Sequence, residues 1–221
     1  MFKSQNRCLT PVGGLIVLQE SEPTQDDTEM EPTEQGATAE STKRIAVAAI
    51  LGAVSIALAS TATFIPRIPG WGIAIFDPVS LVWVIAFLLG GIEVGMITTY
   101  SGFFGLFLFD PTGIGPIFKF FATVPMILVP WLAMKFTNVT EGGIHLSRWK
   151  TYSKYMIMAY VVRMALMIPM NMWLLPLFGV QDIVYIITVT FVLNTLQSFW
   201  DAAIPFYVVF RTRLFEEFRM W

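Results

Sequence analysis

The chain has 221 residues, of which 55% are hydrophobic and only 14% are charged, whereas about one quarter of a soluble domain is charged. Its single cysteine excludes an internal disulfide, and no basic patch indicates nucleic-acid binding. Apolar runs of about 20 residues, enough to cross a bilayer core of about 30 Å, recur roughly six times. The composition therefore predicts an all-α integral membrane protein embedded in the lipid bilayer.

The N-terminal part differs from the rest in composition. Residues 20–40 are rich in Asp and Glu and contain no Lys or Arg, with Pro, Thr, Ser and Gln between the acidic residues. Such a segment cannot bury enough apolar surface to fold. We predict a disordered acidic cytoplasmic tail over residues 1–42, a membrane domain over 43–215, and a short cytoplasmic C-terminus over 216–221.

Six transmembrane helices are predicted in the membrane domain. Asp77-Pro78 is a favourable helix start, with Asp as N-cap and Pro at the first helical position. The second helix ends at Gly90-Gly91, so at 1.5 Å per residue it is only about 18 Å long. The predicted helices cover residues 45–64, 78–89, 92–109, 116–134, 153–175 and 183–210.

The positions of Lys and Arg predict the orientation of these helices. With the N-terminus inside, nearly all basic residues near helix ends lie on the inner side, and only Arg67 and Lys119 lie near the outer side. We therefore predict that both termini are cytoplasmic. The outer loops would then be residues 65–77, 110–116 and 176–182.

The last helix carries a polar stripe in apolar surroundings. Asn194, Gln197 and Asp201 are spaced i, i+3 and i+7, so they share one face. Arg163 on the preceding antiparallel helix lies at a similar depth to Asp201. An unpaired charge in the membrane costs at least about 2.5 kcal/mol, which favours an Arg163–Asp201 ion pair. The pair is either a structural staple or a group shared with a bound solute.

Two further charged residues, Asp77 and Lys119, each have two possible roles. Asp77 either caps its helix alone or also contacts a ligand, and Lys119 either reaches the outer headgroups or points a cation into an outer cavity. Asn171 lies near the outer end of the fifth helix.

His145 is the only histidine and lies outside the predicted helices. Neither a metal cluster, a Ser/His pair nor a phosphate-binding motif is found, so we expect no enzyme activity, metal or cofactor.

The first helix has a ridge of small residues. Ala49, Ala53 and Ala57 recur every four residues, which lets another helix approach closely. We call these three residues the alanine ridge. It serves either internal packing or the docking of another subunit.

These features together resemble the substrate-binding S component of energy-coupling factor (ECF) vitamin transporters. The resemblance covers residues 43–215. It rests on the order of the alanine ridge, the short second helix and three short motifs: Phe76-Asp77-Pro78, Leu89-Gly90-Gly91 and Asn194-xx-Gln197-xxx-Asp201.

The resemblance implies a high-affinity subunit of the plasma membrane that binds a vitamin or related micronutrient from outside. The alanine ridge would face a membrane scaffold subunit, and two ATPase subunits would supply the energy. By depth counting, Arg163 and Asp201 lie deeper than an outward-facing pocket requires. Alternative functions are a proton-coupled secondary carrier that uses Asp201, and a membrane scaffold or sensor. The candidate substrate-binding residues are Asp77, Lys119, Arg163, Asn171, Asn194 and Gln197.

Overall fold

All regular structure in the described part of the chain is helical. The computed structural model describes residues 32–61, 76–110, 112–139, 142–218 and 221, with side chains of the first helix from Thr38 onward. Five helices there are long and apolar enough to cross a membrane. The helices are α1 (Pro32–Thr61), α2 (Pro78–Phe107), α3 (Ile114–Phe136), α4 (Gly142–Leu146), α5 (Trp149–Leu174), α6 (Ile183–Phe206) and α7 (Leu214–Phe218).

Helix α1 starts earlier than the sequence predicted. It begins at Pro32 rather than at residue 45, so residues 32–42 are helical where we expected a disordered tail. Arg44 explains part of this extension, because its guanidinium bonds to Glu40 one turn earlier at 2.8 Å. An i,i+4 pair of this kind stabilises a helix by a few tenths of a kcal/mol. The remainder of the predicted tail, residues 1–31, lies outside the described residues.

Helix α2 contains a sharp break at Gly91, whose φ of 77° and ψ of −165° are not helical. A Cβ atom placed on Gly95 would lie 2.8 Å from the Cβ of Phe87. In a straight helix, these two residues would be about 12 Å apart. A Cβ atom placed on Gly102 would likewise clash with Nε1 of Trp83. The two halves, residues 78–90 and 92–107, therefore fold back on each other.

This break occurs where the sequence predicted the second helix to end. The predicted second and third helices, residues 78–89 and 92–109, correspond to the two halves of α2. Asp77 caps the first half, because its Oδ1 accepts a hydrogen bond from the backbone N–H of Val79 at 3.0 Å. At 1.5 Å per residue, residues 78–90 extend over only about 20 Å. The predicted count of six spans is not confirmed by the five membrane-length helices.

The remaining long helices lie close to their predicted bounds. Helix α3 contains Pro116 in its first turn and two prolines in its interior, Pro125 and Pro130, and α5 contains one, Pro169. A 3-10 turn, Leu175–Phe178, extends α5. Helix α6 begins at the cap Asp182 and contains Pro205, after which the chain continues as a π-helical segment, Tyr207–Arg211. Proline cannot donate the backbone hydrogen bond that a regular helix needs, which is a common origin of such local changes.

The C-terminal part packs onto the break in α2. The indole Nε1 of Trp221 donates to the carbonyl of Leu88 at 3.0 Å, and its ring lies 5.2 Å from the ring of Phe87. A Cβ atom on Gly91 would lie 3.1 Å from the Trp221 ring. The sequence had placed residues 216–221 outside the membrane domain, but Trp221 packs against α2.

The outer surface of the bundle is strongly apolar. Large hydrophobic side chains are exposed on every long helix, including Phe104, Val161 and Val184. A soluble protein rarely exposes so much contiguous apolar surface, whereas lipid solvates it favourably. The five apolar helices and this surface indicate a multi-pass membrane protein.

We predict that Gly91→Ala destabilises the fold by about 2–3 kcal/mol, because the backbone at Gly91 is almost restricted to glycine and the new Cβ would contact Trp221. Gly179 is the matched control, since its φ is also positive, at 85°, but open space surrounds it. Gly179→Ala should cost only about 1 kcal/mol. Unfolding in mixed detergent micelles measures both values. Equal losses in the two variants would contradict the packing role of the break.

Candidate functional site

The guanidinium of Arg163 is the centre of a buried polar network. Arg163 on α5 is only 1% exposed. Its Nη1 donates to Oδ2 of Asp201 at 2.8 Å, and its Nε donates to Oδ1 of Asn194 at 3.0 Å. Its Nη2 donates to Oε1 of Gln197 at 2.7 Å. One cation on α5 therefore binds the whole polar stripe of α6, and a bonded guanidinium avoids the cost of a bare buried charge.

The carboxylate of Asp201 connects this cluster to α2. Asp201 is 4% exposed, and its second oxygen, Oδ1, accepts a hydrogen bond from Oγ of Ser80 at 2.7 Å. Ser80 Oγ also lies 2.9 Å from the carbonyl oxygen of Asp77. The single hydroxyl proton of Ser80 is thus shared between the carboxylate and the carbonyl. Ser80 lies in the first turn of α2 and joins the network to the start of that helix.

A second ion pair lies at the start of α2. The ammonium group of Lys119 on α3 pairs with Oδ2 of Asp77, whose Oδ1 caps the helix. Lys119 also lies 5.8 Å from the ring of Trp83, a cation–π distance. The side chains of Asp77 and Lys119 are 24% and 11% exposed, whereas those of Arg163 and Asp201 are 2% and 5% exposed. Asp77 is therefore the more accessible end of the network, whereas Nζ of Lys119 is itself buried behind it.

The structure brings most of the predicted site residues together. From the sequence, Asp77 and Lys119 were expected nearer an outward-facing site than the deeper Arg163–Asp201 pair, whereas in the structure they are joined to that pair through Ser80. The first half of α2 is short, so its start lies beside Asp201 and not at the outer end of the bundle. Five candidate residues and Asp201 form one network with Ser80: Asp77, Lys119, Arg163, Asn194 and Gln197.

Asn171 does not bond to this network. It is 3% exposed, and its Nδ2 donates to the carbonyl of Met167 in its own helix at 2.8 Å.

Two buried hydroxyls that the sequence analysis missed, Thr190 Oγ1 and Ser198 Oγ, have no hydrogen-bond partner within the described residues. Thr190 precedes Asn194 by one turn, and Asn194 Nδ2 donates to the carbonyl of Thr190. The i, i+4 spacing of these polar residues was the available signal.

Ser80 was also missed by the sequence analysis. A serine three residues after an N-cap is common in first helical turns, where its hydroxyl bonds locally. Its role in the network depends on α6 lying beside the start of α2, which no local pattern indicates. Trp83, in the same half of α2, is fully buried and donates from Nε1 to Ser55 Oγ at 2.7 Å.

The alanine ridge faces outward. Ala49, Ala53 and Ala57 are exposed, while Gly52 and Ser55 on the opposite side of α1 are buried against α2. A Cβ atom placed on Gly52 would lie 3.1 Å from Ser101. Close helix packing inside the protein therefore uses Gly52 and Ser55, and the alanine ridge remains available to lipid or to another chain.

The network contains two cations and two carboxylates, so its formal charge is balanced. Within the described residues, no three His, Cys, Asp or Glu side chains are grouped to hold a metal ion. The arrangement can bind and orient hydrogen-bonding groups, and it ties α2, α3, α5 and α6 together. Comparison with known protein families, curated protein sequences and solved structures finds no match.

We predict that Arg163→Met lowers the free energy of unfolding by about 3–5 kcal/mol, because it leaves a buried carboxylate without its cation. Asp201→Asn in the same chain should restore part of this loss, since no unpaired charge remains. SDS-induced unfolding in mixed micelles measures the coupling between the two changes. Lys154→Met, at an exposed position of α5, is the control and should shift stability by less than about 0.5 kcal/mol. Strictly additive effects of the two substitutions would show that the ion pair is energetically unimportant.

Proposed function

We propose that this chain is the solute-binding membrane subunit of an ECF-type ATP-driven importer that takes up a vitamin or a related micronutrient. The proposal includes six membrane passes, with the two halves of α2 as separate passes, and both termini in the cytoplasm of a cell whose plasma membrane holds the protein. It rests on the resemblance of residues 43–215 to S components and on the polar network in the apolar bundle.

The observation that carries the proposal is the gradient of exposure along the network. The Arg163–Asp201 end is almost completely buried, whereas the Asp77 side chain is 24% exposed. A polar solute that reaches Asp77 and Lys119 would meet groups held in place by a bonded framework behind them. Such preorganisation lowers the entropic cost of binding.

The groups of the site have different roles in this proposal. Asp77 contacts the solute first, because it is the more exposed partner of the pair, and Lys119 lies directly behind it. Arg163, Gln197 and Asp201 form the floor and hold α5, α6 and α2 in register. Asn171, Asn194 and Thr190 line the α5–α6 side, where the Thr190 hydroxyl has no partner in the described part of the chain and would accept a solute hydrogen bond.

The alternative of a proton-coupled carrier receives less support. Such a carrier would need Asp201 to exchange its proton repeatedly. Both oxygens of Asp201 already accept hydrogen bonds, from Arg163 and from Ser80, so a proton could be taken up only where one of these bonds is given up. The energy for transport is therefore assigned to two partner ATPase subunits, with the alanine ridge facing a membrane scaffold subunit.

The solute can be identified by mass spectrometry of small molecules that co-purify with the protein in detergent. We expect a vitamin-like compound to co-purify with the unaltered chain. The Lys119→Gln variant should retain less than a tenth of that amount. Lys150→Gln is the control, because Lys150 is an exposed residue outside the network. Failure to detect any bound compound, followed by failure to bind each of a panel of vitamins, would contradict the proposed function.

We predict that replacing Ala49, Ala53 and Ala57 by leucine abolishes uptake while leaving solute binding unchanged. The bulk of three leucines would hold a partner helix away from the ridge, and the site lies elsewhere in the bundle. Uptake of radiolabelled solute by cells that contain the partner subunits, together with binding by the purified variant, measures the two effects. The control is Val161→Leu on the exposed face of α5. Undiminished uptake by the leucine variant would exclude the ridge as a docking face.

A further inference from the structure

One hydrogen bond joins the start of α2 to α6. Ser80 Oγ donates to Oδ1 of Asp201 at 2.7 Å. From Ser80 the helix continues to the break at Gly91, and nearly all of its side chains on the way are buried. At 1.5 Å per residue, about 12 Å of helix separates Ser80 from Leu88. Because the backbone hydrogen bonds of a helix make so short a stretch move as a unit, a contact at Leu88 also bears on the position of Ser80 and Asp77.

Trp221 makes such a contact at the other end of this short helix. The non-helical backbone of Gly91 interrupts the hydrogen bond that the carbonyl of Leu88 would accept in a continuous helix. The indole Nε1 of Trp221 donates to this carbonyl at 3.0 Å instead. Its ring also lies 5.2 Å from the ring of Phe87. Trp221 therefore completes the hydrogen bonding of a buried helix end and packs against it.

Trp221 is itself anchored by a segment that continues from α6. After the π-helical segment Tyr207–Arg211, the chain turns at Arg213, whose φ is 62°, and then forms α7. Lys43 of α1 donates from Nζ to the carbonyl of Phe218 at 2.6 Å and lies 5.6 Å from its ring. A Cβ atom placed on Gly142 of α4 would clash with the Trp221 ring. The position of Trp221 is thus determined by α1, α4 and α6 together.

Helix α6 and the first half of α2 are consequently joined twice, directly through Ser80 and Asp201, and through Trp221 and Leu88. Two contacts between the same elements support each other, because forming one reduces the freedom that the other must restrict. We propose that Trp221 is a positioning residue for the solute site, which acts through the first half of α2 and determines where Asp77 and Ser80 lie relative to Asp201. The effect on solute binding rests on the proposed function, whereas the link between the two contacts does not.

The test is amide hydrogen exchange of the full chain in detergent micelles, measured by mass spectrometry of its proteolytic fragments. Trp221→Phe keeps a ring beside Phe87 but removes the indole N–H. We expect exchange to become at least about threefold faster at residues 85–90 and also at the remote residues 79–84, because opening at one end of a cooperative unit reaches the other. Trp173→Phe, at a position of α5 that is 72% exposed, is the matched control and should leave both stretches unchanged.

The link must also act in the opposite direction, because a coupling between two sites is reciprocal. Ser80→Ala removes the donor to Asp201 and leaves the contacts of Trp221 in place. It should therefore accelerate exchange at residues 85–90 and in α7, which Ser80 does not bond. This second variant keeps the proposal testable if Trp221→Phe does not fold.

The pattern of exchange decides between positioning and two simpler roles. Faster exchange confined to residues 85–90 in Trp221→Phe, with no remote effect of Ser80→Ala, would make Trp221 a local helix cap and overturn the proposal. An equal acceleration at residues 164–172 of α5 would show general loosening of the bundle and would overturn it as well. The measurement needs no solute, so either result leaves the proposed function standing, and failure to find a bound vitamin would leave the link between Trp221 and Ser80 standing.

Discussion

The need to satisfy one guanidinium inside an apolar bundle organises this protein. Arg163 is 1% exposed and has no access to water, so its donors require acceptors from the protein. Asn194, Gln197 and Asp201 provide them from three levels of α6. Because these acceptors follow the helix over two turns, they fix both the rotation of α6 and its register against α5. Apolar contacts are not directional, so they would fix the rotation and the register of α6 less strictly than these hydrogen bonds do.

The break at Gly91 extends this constraint to the other helices. It folds residues 92–107 back along residues 78–90, which ends the first half of α2 after about 20 Å. The start of that half therefore lies beside Asp201, where Ser80 supplies the donor to its second oxygen. The same start carries Asp77, which brings Lys119 of α3 into the network. A backbone position almost restricted to glycine thus determines where the accessible ion pair lies.

Much of this arrangement was predictable from sequence, and the unpredicted part has a clear cause. Periodicity placed Asn194, Gln197 and Asp201 on one face, and the cost of a membrane charge indicated Arg163 as their partner. Asp77-Pro78 and Gly90-Gly91 marked the ends of a short helix. The position of Asp77 beside the Arg163–Asp201 pair was not predicted, because it depends on the Ser80–Asp201 contact between distant parts of the chain. Ser80 and Trp221 were missed because their contacts join residues distant in sequence.

The two ends of the network consequently have different capacities for recognition. At Arg163 and Asp201, a solute would have to replace hydrogen bonds that the protein already makes, and an incompletely compensated charge there costs several kcal/mol. At Asp77 and Lys119, partial exposure keeps that cost small. In the proposed function, selection between solutes is therefore assigned to the Asp77–Lys119 pair and to the Asn171 and Thr190 side. The buried pair, by keeping α2, α5 and α6 in register, keeps those selecting groups at fixed distances from one another.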